Sequence, residues 1–155
     1  MTLTFRSSSK FKISLVFIAM FMSLLHASSA LAEAYGGGGG TPENPYLISE
    51  LTHLQVLQTN STDWSRYFKQ TTNINASLTV TWNSGAGCDP VGNETTPFTG
   101  NYNGDGHTID GLVINRSGSS SPVGLFGKAY NATIADLGIT NCFVLGSGNS
   151  SSFWK

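Results

Sequence analysis

The feature that most constrains this chain is a strand-like pattern that occurs twice near its C-terminus. Residues 107–114 read HTIDGLVI and residues 132–139 read ATIADLGI, so a Thr-Ile pair is followed by Leu and then Ile in both copies, twenty-five residues apart. A fixed period in the twenties is typical of stacked repeats, in which each unit leaves an apolar face unburied until a neighbour covers it. The pattern therefore predicts a repetitive architecture, and by itself it predicts no chemistry.

The first 32 residues have the layout of a secretory signal peptide. Three positive residues precede an apolar stretch at residues 13–25, and an Ala-Leu-Ala site follows at residues 30–32. A membrane anchor is the alternative, but a spanning helix needs about 20 apolar residues. We therefore expect cleavage after Ala32 and an exported mature chain that is long enough for one domain.

The mature chain is acidic and poor in charge. Removing residues 1–32 from 155 leaves 123, with five Lys and Arg against nine Asp and Glu, a net charge of five minus nine, or −4. Nucleic acids and anionic membranes are bound through clustered basic residues, so neither is an expected partner. Gly, Asn, Ser and Thr make up 57 of the 123 residues, which favours a turn-rich β structure over a helical bundle.

Two cysteines, Cys88 and Cys142, remain after export. An even number of cysteines in an exported chain permits one disulfide, and closing a loop of 54 residues could add about 4 kcal/mol of stability. The alternative is two small buried hydrophobic residues in different turns of the stack. The pattern leaves both readings open. It contains no C-x-x-C, and the mature histidines His53 and His107 lie far apart, so no metal site is expected.

A short helix is expected near the mature N-terminus. Residues 36–40 are five glycines, which predict a flexible linker, and the Pro-containing segment 41–45 predicts a turn. After a short strand at residues 46–48, Ser49 is the expected N-cap of a helix over residues 50–58. Such a helix would cover the first unit of a stack. Its apolar face would comprise Leu51, Leu54 and Leu57, with Val56 beside it.

The rest of the chain alternates short strand candidates with turns rich in Gly and Asn. Strands this short are also compatible with an antiparallel sandwich, but the fixed offset between the two copies favours a solenoid. The expected strands are 67–70, 74–76 with an extension at 78–82, 98–102, 108–114, 123–127 and 133–139, with a loop at 117–121.

Three segments resemble the bacterial GLUG-repeat family. The first is the ensemble F-T-G at 98–100, G-x-G-H-T-I at 104–109, L-x-I at 112–114 and V-G-L-F-G at 123–127. The second is GTPENPYLI at residues 40–48, which is similar to the segment that commonly precedes such repeats. The third is YFKQ-x-x-NIN at residues 67–75, which is similar to the unit between them. Together they cover most of residues 40–141.

The resemblance implies a fold and a setting. The fold would be all-β, a right-handed parallel β-helix (a short solenoid) with a short N-terminal capping helix. The setting would be a secreted or surface protein, often adhesin-like and sometimes accompanied by an enzyme, and the family supplies no general catalytic residues. The expected domains are 1–32 signal peptide, 33–45 Gly-rich linker and turn, 46–145 β-helix repeats and 146–155 disordered or truncated tail.

The chain departs from the family in having few repeats. Its last recognisable unit ends near Leu145, with neither a helix nor a polar cap after it. An uncovered solenoid end is prone to aggregation. We therefore expect further repeats of a longer protein, or a partner chain, to cover that end.

The segment 101–106 begins like a calcium-binding loop but lacks an essential ligand. It reads N-x-N-x-D-G, with oxygen ligands at loop positions 1, 3 and 5 and glycine at position 6, whereas position 12 is Leu112 where a bidentate Glu is needed. Asn-Gly and Asp-Gly pairs are also typical of tight turns with positive φ. The segment is therefore interpreted as a turn.

No arrangement of acids and bases predicts catalysis. His107 and Asp110, three residues apart on a strand, would face opposite sides of a sheet. Asp110 and Asp136 would lie in adjacent repeats but one place out of register, which reverses their facing. We predict no catalytic, cofactor-binding or metal-binding residues and no cofactor. The scattered acids considered are Asp63, Asp89, Glu94, Asp105, Asp110 and Asp136.

These observations predict a non-catalytic secreted or cell-surface module of adhesin-like type, which presents a face to a glycan or to a host or cell-surface protein. The alternative is the N-terminal part of a β-helix polysaccharide lyase or glycoside hydrolase whose active site lies beyond this chain; a structural spacer is a third reading. Five aromatic residues are candidates either for stacking on sugars or for packing inside the fold: Trp64, Tyr67, Trp82, Tyr102 and Tyr130.

Overall fold

A computed structural model describes residues 34–117 and 123–146. The predicted signal peptide at 1–32, residues 118–121 of the predicted loop at 117–121, and residues 147–155 of the predicted tail lie outside these described residues. The elements are, in chain order, β1 (Tyr46–Ile48), α1 (Leu51–Thr59), a 3-10 helix (Ser61–Asp63), β2 (Tyr67–Gln70), β3 (Ile74–Asn75), a second 3-10 segment (Ser77–Gly85), β4 (Asn101–Asn103), β5 (Thr108–Asp110), β6 (Val113–Arg116), β7 (Thr133–Ala135), β8 (Gly138–Thr140) and β9 (Phe143–Gly146).

The strands form three small sheets in which every pair is parallel. Sheet A has the order β1-β2-β4-β7, sheet B the order β3-β5-β8, and sheet C pairs β6 with β9. Within each sheet the inward position is kept in register, so that Phe68 pairs with Tyr102 and Ile109 with Ile139. Successive passes of the chain therefore stack the inward residues of each sheet on one another.

The prediction of an all-β parallel β-helix is wrong. The structure is mixed α/β: strands of two to four residues form small parallel sheets, one α-helix and two 3-10 segments lie between them, and the described residues show no closed barrel or solenoid. The segment 78–82, expected to be a strand, belongs to the second 3-10 segment, where Thr79 is buried and donates to the carbonyl of Ala76 at 2.6 Å. Apolar residues that recur in successive short strands indicate parallel pairing, and parallel pairing occurs in more than one fold class. The repeated pattern alone could therefore not decide the fold class.

The two copies of the repeated pattern pair with each other, but not at the offset of twenty-five that the pattern predicted. Strand β5, from the first copy, pairs with β8 at an offset of thirty residues, as Thr108 with Gly138. Strand β7, which begins the second copy, pairs instead with β4 of sheet A, as Tyr102 with Ile134. The predicted period of twenty-five is therefore not the stacking offset. A Thr-Ile pair occurs in strands of both sheets, and a match between side-chain types does not distinguish them.

The helix is present one residue later than expected. It spans Leu51–Thr59, and its N-cap is Glu50 rather than Ser49, with no capping hydrogen bond from a side chain. The backbone N–H of Ser49 instead donates to Nδ1 of the buried His53 at 3.1 Å. Leu54 and Leu57 are buried in the core, as the apolar spacing predicted.

The five glycines form part of the fold, where a flexible linker was expected. The N–H of Gly36 donates to the carbonyl of Leu47 at 2.8 Å, and the N–H of Leu47 donates to Gly37 at 2.9 Å. These bonds occupy the outer edge of β1. Glycine is required here because a Cβ on Gly38, whose φ is +90°, would lie 1.9 Å from the carbonyl oxygen of Pro45.

The core is built around a column of aromatic rings. Centroid separations run from 4.6 Å for Tyr35 and Tyr46, through 5.6 Å for Tyr46 and Phe68 and 6.2 Å for Phe68 and Phe98, to 5.0 Å for Phe98 and Phe126. Aromatic pairs at these separations add about 0.5–1.5 kcal/mol each beyond the area they bury. The column connects Tyr35 and β1 at one end of the chain to Phe126, which precedes β7.

Replacing Gly38 with alanine should destabilise the protein, whereas replacing Gly39 should not. The Gly38→Ala methyl would meet backbone atoms and hold a positive φ, so we expect the free energy of unfolding to fall by about 3 kcal/mol. In Gly39→Ala the nearest contact is the mobile amide of Asn44 at 3.2 Å. Urea unfolding of both variants measures the difference, and equal stabilities would show that the glycine segment is not packed as described.

Candidate functional site

The outer face of sheet A carries polar and aromatic side chains at neighbouring register positions. On β2, Phe68 and Gln70 point inward and are buried, so Tyr67 and Lys69 point outward. On β4, Tyr102 is buried, so Asn101 and Asn103 point outward. Tyr67 pairs with Asn101 and Lys69 pairs with Asn103. We call these four residues, with Asp105, the sheet A face.

A buried hydrogen-bond network under this face supports its register. The hydroxyl of Tyr102 donates to Oε1 of Gln70 at 3.1 Å. Nε2 of Gln70 donates to the carbonyls of Thr72 at 2.8 Å and Thr108 at 3.0 Å. Gln70 is completely buried, so each of these bonds satisfies a group that would otherwise cost about 1–3 kcal/mol. Burial raises the pKa of Tyr102, which keeps the hydroxyl protonated as a donor.

The loop that begins like a calcium site is a turn. Asp105 and Gly106 have positive φ values of 51° and 78°, the conformation that the Asp-Gly pair predicted. Two side-chain oxygens of the loop have protein partners: Oδ1 of Asn103 accepts from the N–H of Asp105 at 2.8 Å, and Oδ2 of Asp105 lies 3.0 Å from Nζ of Lys69. Leu112, at the twelfth loop position, is buried in the core. Among the described residues no three His, Cys, Asp or Glu side chains are grouped to hold a metal ion.

Asp110 is held by hydrogen bonds from the next strand and not by a histidine. Its Oδ1 accepts from the Thr140 hydroxyl and from the Asn141 amide, each at 2.6 Å. These bonds favour the charged form and lower the pKa of the carboxyl below its usual value. Asp136 is in a turn, with φ of 53°, so the two acids are not register partners.

The other acids examined in the sequence are also engaged separately. Asp63 is buried and accepts from Tyr35 at 3.1 Å and from Asn60 at 2.6 Å. Asp89 pairs with Arg116, and Glu94 pairs with Lys128. A glycosidase requires two carboxylates that converge on one bond, and these ion pairs and hydrogen bonds do not bring two carboxylates together.

The two cysteines are both free, and their environments differ. Cys88 is buried, Cys142 is exposed, and no disulfide joins them. Nε2 of Gln58 donates to Sγ of Cys88 at 2.8 Å. Burial raises the pKa of the Cys88 thiol to about 12, and the carboxylate of Asp89 acts in the same direction. Cys88 therefore serves as a small core residue, as the second reading expected, whereas that reading is wrong for Cys142, which is exposed.

The five candidate aromatic residues divide between the core and the surface. Trp64 and Tyr102 are buried, and the indole N–H of Trp64 donates to the carbonyl of Leu57 at 2.7 Å. Trp82 is partly buried. Tyr67 is 38% exposed and Tyr130 is 62% exposed. Sequence reasoning did not single out Lys69 and considered Asn101 and Asn103 only as ligands of a calcium-like loop, although the alternation of apolar and polar residues in β2 and β4 was a signal for all three.

Two known proteins are similar to this chain. Halomucin of Haloquadratum walsbyi is 42% identical over 115 residues, which cover 72% of this chain and 1% of that protein. A protein of Evansella cellulosilytica described as a Gly-rich membrane protein is 31% identical over 134 residues, 86% of this chain and 15% of that protein. The chain thus spans a small part of the relatives it matches.

No family model and no solved structure matches this chain. The resemblance to GLUG repeats therefore stays a prediction. The two relatives are consistent with an exported or surface protein. Within residues 34–117 and 123–146, no helix is long and apolar enough to cross a membrane.

The thiols should react at very different rates. At pH 8 a thiol with a pKa of about 12 is a thiolate in about one molecule in ten thousand, and Cys88 is also buried. We expect one thiol per chain, Cys142, to react with a chromogenic disulfide reagent in the native protein, and two after unfolding in guanidinium chloride. Cys142→Ser should abolish the native reaction. Two rapidly reacting thiols in the native wild type would contradict the buried position of Cys88.

The low pKa of Asp110 should depend on its neighbours in the next strand. Removing a donor with Thr140→Val should move the carboxyl pKa upward, toward its usual value, because the charged form loses a hydrogen bond. Because the folded-state pKa is lowered, the stabilisation is present above the unfolded-state pKa and is lost as pH falls through the folded-state pKa. Carbon-13 NMR titration of the Asp110 carboxyl measures this shift. Thr133→Val, on sheet A, is the matched control and should leave the Asp110 pKa unchanged.

Proposed function

We propose that this chain is a non-catalytic module of a secreted or cell-surface protein and that its sheet A face binds a glycan. The observation that carries the proposal is the exposed ring of Tyr67 beside the amides of Asn101 and Asn103 on adjacent strands. Export through the predicted signal peptide at residues 1–32 agrees with the coarse location that the relatives support.

The sheet A face combines the two kinds of contact that a sugar needs. An aromatic ring packs against the apolar side of a sugar ring, and side-chain amides both donate to and accept from hydroxyl groups. Strands lie about 4.8 Å apart, so the row Tyr67, Asn101 and Thr133 extends about 10 Å across the sheet. The row therefore offers one stacking position with polar groups directly beside it.

The charges on this face favour an uncharged sugar. The ammonium of Lys69 lies 3.0 Å from the carboxylate of Asp105, so its charge is balanced within the protein. Both side chains of this pair are about two-fifths exposed, and solvent weakens such pairs, so the pair neutralises the face more than it stabilises the fold. An anionic sugar would have to compete with Asp105 for the ammonium.

The separate engagement of the acids supports a binding role over catalysis. Asp63, Asp89 and Asp110 each accept hydrogen bonds from different protein groups in different parts of the structure. General acid–base catalysis needs a pair of groups positioned on one substrate bond. The outward polar side chains of sheet A are suited to binding a ligand instead.

Replacing Tyr67 should remove glycan binding. We expect Tyr67→Ala to weaken binding to neutral polysaccharides at least about tenfold, because the stacking surface is lost. Tyr130→Ala is the matched control, since Tyr130 is the more exposed tyrosine and lies outside the sheets. A glycan array identifies a neutral ligand, and calorimetry with that ligand compares the variants, whose folding is checked by circular dichroism.

Two outcomes would contradict this proposal. One is equal binding by wild type and Tyr67→Ala, or no binding to any sugar on the array. The other is degradation of a polysaccharide panel by the purified protein that Asp110→Asn abolishes, which would indicate an enzyme.

A further inference from the structure

Five segments of residues 34–117 and 123–146 read Asn-x-Ser or Asn-x-Thr with no proline at the middle position. We call such a segment a sequon, because this sequence accepts N-linked glycans in exported proteins. The five asparagines are Asn60, Asn75, Asn93, Asn115 and Asn131. A glycan is bulky and solvated, so an acceptor in a folded protein must lie in an exposed loop. The surroundings of each asparagine therefore decide which sequon is available.

The Asn60 sequon is closed by its own hydrogen bonds. Nδ2 of Asn60 donates to Oδ2 of the buried Asp63 at 2.6 Å. The hydroxyl of Thr62, the third residue of the sequon, donates to Oδ1 of Asn60 at 2.6 Å. A glycan on Nδ2 would have to fit beside a buried carboxylate, so the fold disfavours a glycan at this position.

Three further sequons include residues of strands. Asn75 lies in β3, Asn115 lies in β6, and Thr133, the third residue of the Asn131 sequon, lies in β7. The N–H of Thr133 donates to the carbonyl of Gly100 at 3.1 Å. Strand backbone is held by such hydrogen bonds to its neighbours. These three segments therefore cannot bend into the active site of an enzyme without breaking part of a sheet.

The Asn93 sequon differs from the other four. All three of its residues are exposed, and they lie outside the helices and strands of the described chain. Oδ1 of Asn93 accepts from the N–H of Thr95 at 3.0 Å and from the N–H of Thr96 at 2.9 Å. These bonds hold the oxygen of the planar amide toward the backbone of the turn. Nδ2, which makes no hydrogen bond to the described residues, therefore points away from the turn.

The fold fixes both ends of this loop and leaves its tip exposed. On one side, the N–H of Val91 donates to the carbonyl of Leu125 at 2.8 Å; on the other, the N–H of Phe98 donates to the carbonyl of Lys128 at 2.9 Å. Val91 and Phe98 are both completely buried. Glu94, at the tip, pairs with Lys128 on the surface. A glycan attached at the tip would therefore leave the core contacts unchanged.

We propose that Asn93 is an N-glycosylation site of the folded protein, modified after export by a membrane-bound oligosaccharyltransferase. The co-reactant is a glycan joined through C1 to a lipid pyrophosphate. Nδ2 of Asn93 forms a bond to C1 of the glycan, the bond from C1 to the pyrophosphate oxygen breaks, and the lipid pyrophosphate leaves with that electron pair. The amide proton passes to a carboxylate base of the transferase. This site carries a glycan, whereas the sheet A face is proposed to bind one, so neither role depends on the other.

Glycosylation of the purified, folded protein tests this proposal. The exported chain is incubated with an oligosaccharyltransferase and a lipid-pyrophosphate glycan, and intact mass spectrometry counts the glycans on each chain. We expect one glycan on the wild type. Asn93→Gln removes the acceptor nitrogen and Thr95→Ala removes the hydroxyl of the sequon, so each should lower occupancy at least about tenfold. Thr95→Ser keeps a hydroxyl at this position and should retain the glycan.

Asn131→Gln is the matched control. Asn131 is exposed like Asn93, but its sequon continues into β7, so this variant should keep full occupancy. Synthetic peptides of residues 89–97 and 128–136 contain the two sequons without the fold. Both peptides should be glycosylated, because the difference between the two sites in the protein comes from the structure and not from the local sequence.

Three outcomes would overturn the proposal. The first is a folded wild type that stays unmodified while the 89–97 peptide is glycosylated, and the second is a peptide of residues 89–97 that the transferase does not accept. The third is a glycan that persists in Asn93→Gln. Equal circular dichroism spectra and thermal midpoints of the variants and the wild type exclude misfolding. Glycan binding by Asn93→Gln should equal that of the wild type, which tests the sheet A face separately.

Discussion

The inward column of aromatic rings is the interaction on which the rest of this structure depends. Tyr46, Phe68 and Phe98 occupy successive levels of the interior, with centroids about 6 Å apart. Strands of two to four residues bury little area individually, so each is stable only when the inward side chain packs on the levels above and below. Parallel pairing in register keeps these rings stacked, and the alternation of the strands then sends the intervening side chains outward.

Buried polar groups add specificity to this apolar interior. Gln70, at the inward position of β2, bonds to Tyr102 in the neighbouring strand and to the backbone at Thr72 and Thr108. A slip of the register by one residue would expose Phe68 and leave the Gln70 amide without these partners. The same bonds that satisfy the core therefore hold Tyr67 and Lys69 at positions facing Asn101 and Asn103.

The outer side of sheet A differs in character from the interior that supports it. The sheet A face is polar, contains the Lys69–Asp105 ion pair and carries the exposed ring of Tyr67. The inner side of the same strands is core, with Phe68, Gln70 and Tyr102 buried. Strand alternation therefore places polar recognition groups and core packing groups on opposite sides of one sheet.

Local features of the structure could be predicted from the sequence, and its long-range arrangement could not. The spacing of Leu54 and Leu57 predicted a helix, and the Asp105-Gly106 pair predicted a turn, because both depend on neighbouring residues alone. The fold class, the thirty-residue offset between β5 and β8 and the packing of the glycine segment depended on contacts between distant residues. The two copies of the Thr-Ile pattern look alike, yet β5 and β7 lie in different sheets, because β5 is the second strand of one pass of the chain and β7 is the first strand of the next. The sequence by itself determined which residues of each strand point inward and which point outward. Only the tertiary structure decided which strands pair, because pairing depends on burial against residues that are distant in the sequence.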